Sequence, residues 1–166
     1  MTLEMVRKLC RYNWWANVRL LSAAKQLTPM EFEVDLAGSF SSVQSTLLHV
    51  LWVELMFIRR WRGESTSDLA SPPVFNTMEL IEEKWTGLEK ERSQLLDRLT
   101  ESDLSRSISY TDSRGRLLSM PLWESLFHLI NHSTYHRGQL ASKLRQSGKV
   151  PPSTDFVIFC REEIDK

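Results

Sequence analysis

Residues 121–148, PLWESLFHLINHSTYHRGQLASKLRQSG, decide the architecture. Leu122, Leu126, Leu129, Leu140 and Leu144 recur at helical steps. Pro121 suits the first position of a helix, and Gly148 suits the cap at its end. The stretch also holds three of the chain's 4 histidines. His128, His132 and His136 follow one another at four-residue steps, on one stripe of the helix. The remaining one, His49, lies far away in sequence.

Side chains four apart on a helix sit on one face with Cβ atoms about 6 Å apart. Two imidazoles so placed can point at one cation and ligate it at about 2.0–2.1 Å. His132 with His136, and His128 with His132, are equally good pairs on spacing alone. His128 and His136 are about 12 Å apart along the axis, too far to share one ion. A facing helix must then supply the rest, and His49 is the only histidine left. A metal-free polar network is the alternative, because a buried imidazole needs a partner for each nitrogen. Spacing does not choose between the two.

Three more helical segments precede this one. Thr2 to Leu27 carries Leu3, Val6, Leu9, Tyr12, Ala16, Leu20, Ala23 and Leu27 on one stripe. It stops at Thr28-Pro29, where TPME has the form of a capping box that opens a short turn. A second segment follows Gly38, capped by Ser41 or Ser42, with Val43, Leu47, Val50, Leu51 and Phe57 on its apolar face. Arg59, Arg60, Arg62 and Gly63 suit its C-terminal end, and His49 falls in its middle. Residues 64–75, with Pro72-Pro73, read as a loop. Thr77 to Leu99 reads as the third helix, with Met78, Ile81, Trp85, Leu88, Leu95 and Leu99 inward. Glu82, Glu83, Lys84, Glu89, Lys90, Glu91 and Arg92 then solvate its other face.

Ile108 and Tyr110, a turn at Asp112 to Gly115, and Leu117 suggest a small β-hairpin before the last long helix. The tail KVPPSTDFVIFCREEIDK reads as extended and packed by Phe156, Ile158 and Phe159. The fold class is therefore all-α, a four-helix bundle, and 166 residues fit a single domain over 1–166. Metal and cofactor sites in bundles are built from side chains on facing helices.

Lys plus Arg equals 21 and Asp plus Glu equals 21, which argues against nucleic acid as a partner. The amphipathic start carries Glu4, Arg7, Lys8, Arg11 and Arg19, and no stretch is apolar enough to cross a membrane. Cys10 and Cys160 form no CxxC pattern, so a reducing cytoplasm is the expected location. Cys10 reads as a packed core thiol, and neither cysteine looks primed as a nucleophile. The tryptophans (Trp14, Trp15, Trp52, Trp61, Trp85, Trp123) read as core or interface and point weakly to a homodimer.

LLHVLWVELMFIRRW in the second segment and HLINHSTYHRGQL in the fourth resemble the two signature stretches of the DinB/YfiT-like family. These are small four-helix-bundle metalloproteins, distinct from the DNA polymerase that shares the DinB name. YNWWANVRLL near the start and GKVPPSTDF after the last helix also fit the pattern. The resemblance implies a divalent metal, nickel or zinc, held by His49, His132 and His136. His128 has no ligand role in that pattern and reads as lining a pocket. The resemblance also implies homodimers, and among characterised relatives transferases and isomerases that use a low-molecular-weight thiol.

Three protein ligands leave coordination positions open, the layout of a catalytic site rather than a closed structural one. The leading expectation is an enzyme that activates a cofactor thiol against an electrophilic small-molecule substrate. The alternatives are a metal-dependent hydrolase using bound hydroxide and a non-catalytic metal-binding stress-response module. Gln139, one turn beyond His136, can reach the back of a ligand or bond to another helix; Tyr135 flanks the ligands. Asn17 reads as a loop anchor, and Arg137 as solvating its helix or pairing with a tail acid. Glu54 is a poor fourth ligand, because five residues rotate it about 140° from His49.

Overall fold

The computed structural model describes residues 1–69, 71–72, 75, 77–112 and 115–164. Pro73 of the loop and Ser113 and Arg114 of the turn, both expected from the sequence, lie outside the described residues. Helix α1 spans Leu3–Ala24 and starts where the Thr2 hydroxyl accepts from the Met5 amide. Leu3, Val6, Ala16, Leu20 and Ala23 are buried along the expected stripe. The helix ends before Leu27, and a short helix α2, Pro29–Glu33, stands where the sequence suggests only a turn. Thr28 and Glu31 form the reciprocal capping box that nucleates it.

Helix α3 is Val43–Arg62, capped by Ser42 rather than Ser41, and it stops at Gly63, whose φ of 74° a side chain would strain. Helix α4 is Met78–Arg98, followed by a 3₁₀ turn, Glu101–Ser105. Strands β1, Ser107–Thr111, and β2, Leu117–Pro121, form the antiparallel hairpin, with Ser109 opposite Ser119. The chain then enters α5, Leu122–Gln146. Helix α5 packs along both α1 and α3, α3 packs on α4, and α4 closes onto α1. These four long helices are the bundle. Leu122, Leu126, Leu129 and Leu144 of α5 are almost fully buried in its centre.

The tail differs from the sequence reading. Residues 149–155 are extended as expected, but Phe156–Ile164 is a helix, α6. Phe159 is buried, Ile158 only half-buried, and Phe156 stands edge-on to Tyr12. Glu162 accepts from the Trp15 indole and pairs with Arg19; Glu163 pairs with Arg11. The β-forming Val157 and Ile158 suggest an extended segment, and docking on α1 overrides that preference.

Arg92 is a second correction. Instead of solvating α4, it is buried against Glu54 and Glu89. A long side chain can run through a core when carboxylates meet its head. The tryptophans are all accounted for by packing: Trp61 and Trp85 are buried, and Trp14, Trp15, Trp52 and Trp123 lie partly buried against the core. Among the described residues, no helix is long and apolar enough to cross a membrane.

Candidate metal centre

Helices α3 and α5 run in opposite directions. His49 meets His132 and His136, Phe57 meets His128, and Trp61 donates to the Ser125 hydroxyl. This antiparallel seam places the middle of α3 against the HxxxH of α5. His49, His132 and His136 converge there as a group that could hold a metal ion. The Nε2 atoms of His49 and His132 are 3.1 Å apart, and those of His132 and His136 are 3.0 Å apart. Neighbouring nitrogens bound to one cation at about 2.05 Å would stand about 2.9 Å apart at right angles and about 3.3 Å apart at the tetrahedral angle. The observed spacings lie inside that window.

Gln139 sets the proton inventory. Its side-chain oxygen lies 2.8 Å from Nδ1 of His136. A carboxamide oxygen can only accept, so Nδ1 carries the proton and Nε2 presents a lone pair to the cluster. His132 can offer at most one hydrogen from its Nε2, yet that atom faces two neighbours. A metal-free network thus leaves converging lone pairs short of protons, whereas a cation satisfies all three. Burial is the main cause holding His49 down to about 4 and His132 down to about 3. The His136 charge acts the same way on both, and His132 also feels His49 and His128. Burial lowers His136 too, against the hydrogen bond that its Nδ1 donates to Gln139. All three are neutral near pH 7, the form that ligates.

Phe40 stacks on His49 with centroids 4.2 Å apart and stands edge-on to His136. No sequence signal marks it, because it lies in the irregular stretch before α3. Lys143 pins that stretch by donating to the carbonyls of Ala37 and Ser41. Tyr135 touches the His136 ring edge-on but is 63% exposed, so it flanks the group. His128 is exposed, with its ring 6.1 Å from His132 and 5.3 Å from Phe57. It is not a member of the three-histidine group. Neither cysteine joins it either; both are free thiols.

A cleft of about 650 Å³ lies between α3, α4 and the segment after α3, lined by Leu51, Trp52, Leu55, Phe75 and Leu88. Its walls include none of the histidines. Trp52, whose ring centroid is 6.1 Å from that of His49, stands between the two.

The sequence reading misplaces two residues beside the site. Arg137 is buried, donating to Asn13, Asn17 and Thr134. Asn17 is therefore no loop anchor. With Asn13 it donates in turn to Glu54, which also accepts from Trp85 and Arg92. This buried polar chain crosses all four long helices and fixes how they sit against one another. Glu54 faces that chain and not the histidines, as its rotation from His49 predicts.

Comparison with known proteins agrees with the architecture. The model of the DinB family matches residues 1–166. "Protein DinB" of Bacillus subtilis (strain 168) is 27% identical over 162 residues, covering 92% of this chain and 91% of its own. The "Uncharacterized protein YizA" of the same organism is 26% identical over 162 residues, covering 90% and 92%. A crystal structure of a DinB-like protein from Bacillus cereus ATCC 10987 superposes with a TM-score of 0.69 at 23% identity, over 92% of this chain and 97% of that one. The chain belongs to the DinB family.

Proposed function

We propose that His49, His132 and His136 hold one divalent cation, nickel or zinc. On it the chain acts as a transferase or isomerase that uses a low-molecular-weight thiol on an electrophilic small molecule. The observation that carries the reading is the meeting of three Nε2 atoms with at most one proton shared between neighbouring pairs. Among the described residues the group has no fourth histidine, cysteine or carboxylate, which favours an open centre over a closed structural one.

When bound, the cation supplies Lewis acidity that lowers the pKa of a thiol or water taken up beside it. The chain's own residues orient and shield. Gln139 fixes the His136 ring, Phe40 covers His49, and half-buried His49 and His132 leave a side open to small molecules. No protein nucleophile is required. Burial pushes the Cys10 thiol up to about 11, against the pull of Arg92, so it stays protonated and inert. The free cysteines agree with a cytoplasmic location, while a homodimer rests on the family resemblance and the number of tryptophans.

The test is turnover of a panel of electrophiles by metal-loaded and chelator-treated protein, with and without small thiols. Thiol-dependent consumption restored by metal supports the reading. Consumption with water alone supports a hydrolase instead, and none under either condition supports a non-catalytic module.

A further inference from the structure

Three arginines end α3, and they differ in company. Arg59 pairs with Asp68 at 2.7 Å, and Arg62 pairs with Glu91 at 2.7 Å. Arg60 turns inward. Its guanidinium lies 4.0 Å from the Tyr110 ring centroid and 5.1 Å from that of Phe57. Its Nε is buried without a hydrogen-bond partner, and among the described residues its side chain forms no ion pair. Aromatic stacking engages the face of a guanidinium and leaves the N–H donors on its edge free.

Arg60 lies along the same α3–α5 seam as the three histidines. From His132 the α3–α5 seam passes to His128 at 6.1 Å, to Phe57 at 5.3 Å, and on to Arg60, ring to ring. Arg60, His132 and Tyr110 are half-buried and His128 is exposed, so a ligand can approach this part of the seam from solvent. Eleven residues of α3 separate His49 from Arg60, about 16 Å of helix, and the arginine side chain leans back toward the helix start. The remaining span is on the order of 10 Å.

We propose that Arg60 anchors the far end of the molecule bound at the three-histidine centre, and that this end is a carboxylate. One planar guanidinium offers a single positive charge and a two-pronged set of donors, which a carboxylate matches. Between the two ends the seam presents the exposed His128 ring over buried Phe57, which suits an apolar spacer. The inference rests on the metal-and-thiol reading above.

Cobalt-loaded protein is titrated with a homologous series of ω-mercaptoalkanoic acids and the corresponding mercaptoalkanols, reading the sulfur-to-cobalt absorption band. The acids bind better than the alcohols, with a maximum at an intermediate chain length of about tenfold. Arg60→Gln lowers affinity for that acid about tenfold and removes the length optimum, and Arg60→Lys recovers part of it. An unchanged cobalt ligand-field spectrum in both variants shows that the centre is intact. Equal binding of acids and alcohols, a flat length dependence, or a preference that persists in Arg60→Gln would overturn the inference and leave the centre standing. Failure of both series to bind removes the thiol reading and the inference with it. Failure of the wild type to bind cobalt removes the centre itself.

Discussion

Nδ1 of His136 donates to the side-chain oxygen of Gln139 at 2.8 Å, and this bond aims the other nitrogen of the ring at His132. One helical turn separates donor and acceptor, so α5 supplies both a ligand and the group that orients it. Partners of this kind fix the tautomer and raise ligand basicity. Gln139→Leu should weaken metal binding by about 10–100-fold, and Gln139→Glu should retain it. Competition against a chromophoric chelator measures both. Equal affinity in wild type and Gln139→Leu would show that the bond is incidental.

The buried imidazoles make the metal-free protein acid-sensitive. His49 and His132, held down to about 4 and about 3, stay neutral in the folded chain while their unfolded counterparts protonate near the ordinary imidazole value of about 6.5. The unfolded state therefore binds more protons below about pH 6.5, and stability falls as pH drops through that window. Above it these groups contribute no slope. Urea unfolding of chelator-treated protein at neutral pH and near pH 5 should show the loss, and His132→Gln should show a shallower one. A pH-independent midpoint would contradict the neutral assignment.

The buried polar chain predicts a large and a small effect from similar substitutions. Glu54→Ala leaves buried Arg92 with Glu89 alone and strands the Asn13 and Asn17 amides in the core, and should cost about 3–5 kcal/mol. Glu82→Ala removes only an exposed pair with Lys25, and should cost less than about 1 kcal/mol. Denaturant titration compares them directly; equal losses would mean that the chain adds nothing to stability.

What could be read from the sequence follows period and spacing. The four long helices follow from apolar periodicity and the hairpin from its alternation, because both patterns are imposed by which face is buried. The HxxxH pair is legible because a helix turns its spacing into geometry. Choosing His132 with His136 over His128 with His132 depends on the register of α3 against α5, which only packing sets. Arg92, Arg137 and Asn17 read as surface or loop residues because a lone polar side chain looks the same whether water or a buried partner meets it. Phe40 leaves no signal, since its role comes from an irregular segment held by the distant Lys143. Helix α6 hides behind β-branched residues whose docking on α1 is tertiary.

The central claim is that His49, His132 and His136 share a cation, and metal content tests it most directly. Protein purified without chelators or nickel affinity resin is subjected to elemental analysis alongside His132→Ala and His49→Ala, each confirmed as folded by circular dichroism. The account predicts about one divalent transition metal per wild-type chain and almost none in either variant. Wild-type protein that stays metal-free after incubation with nickel or zinc, or variants that keep the wild-type content, would contradict it.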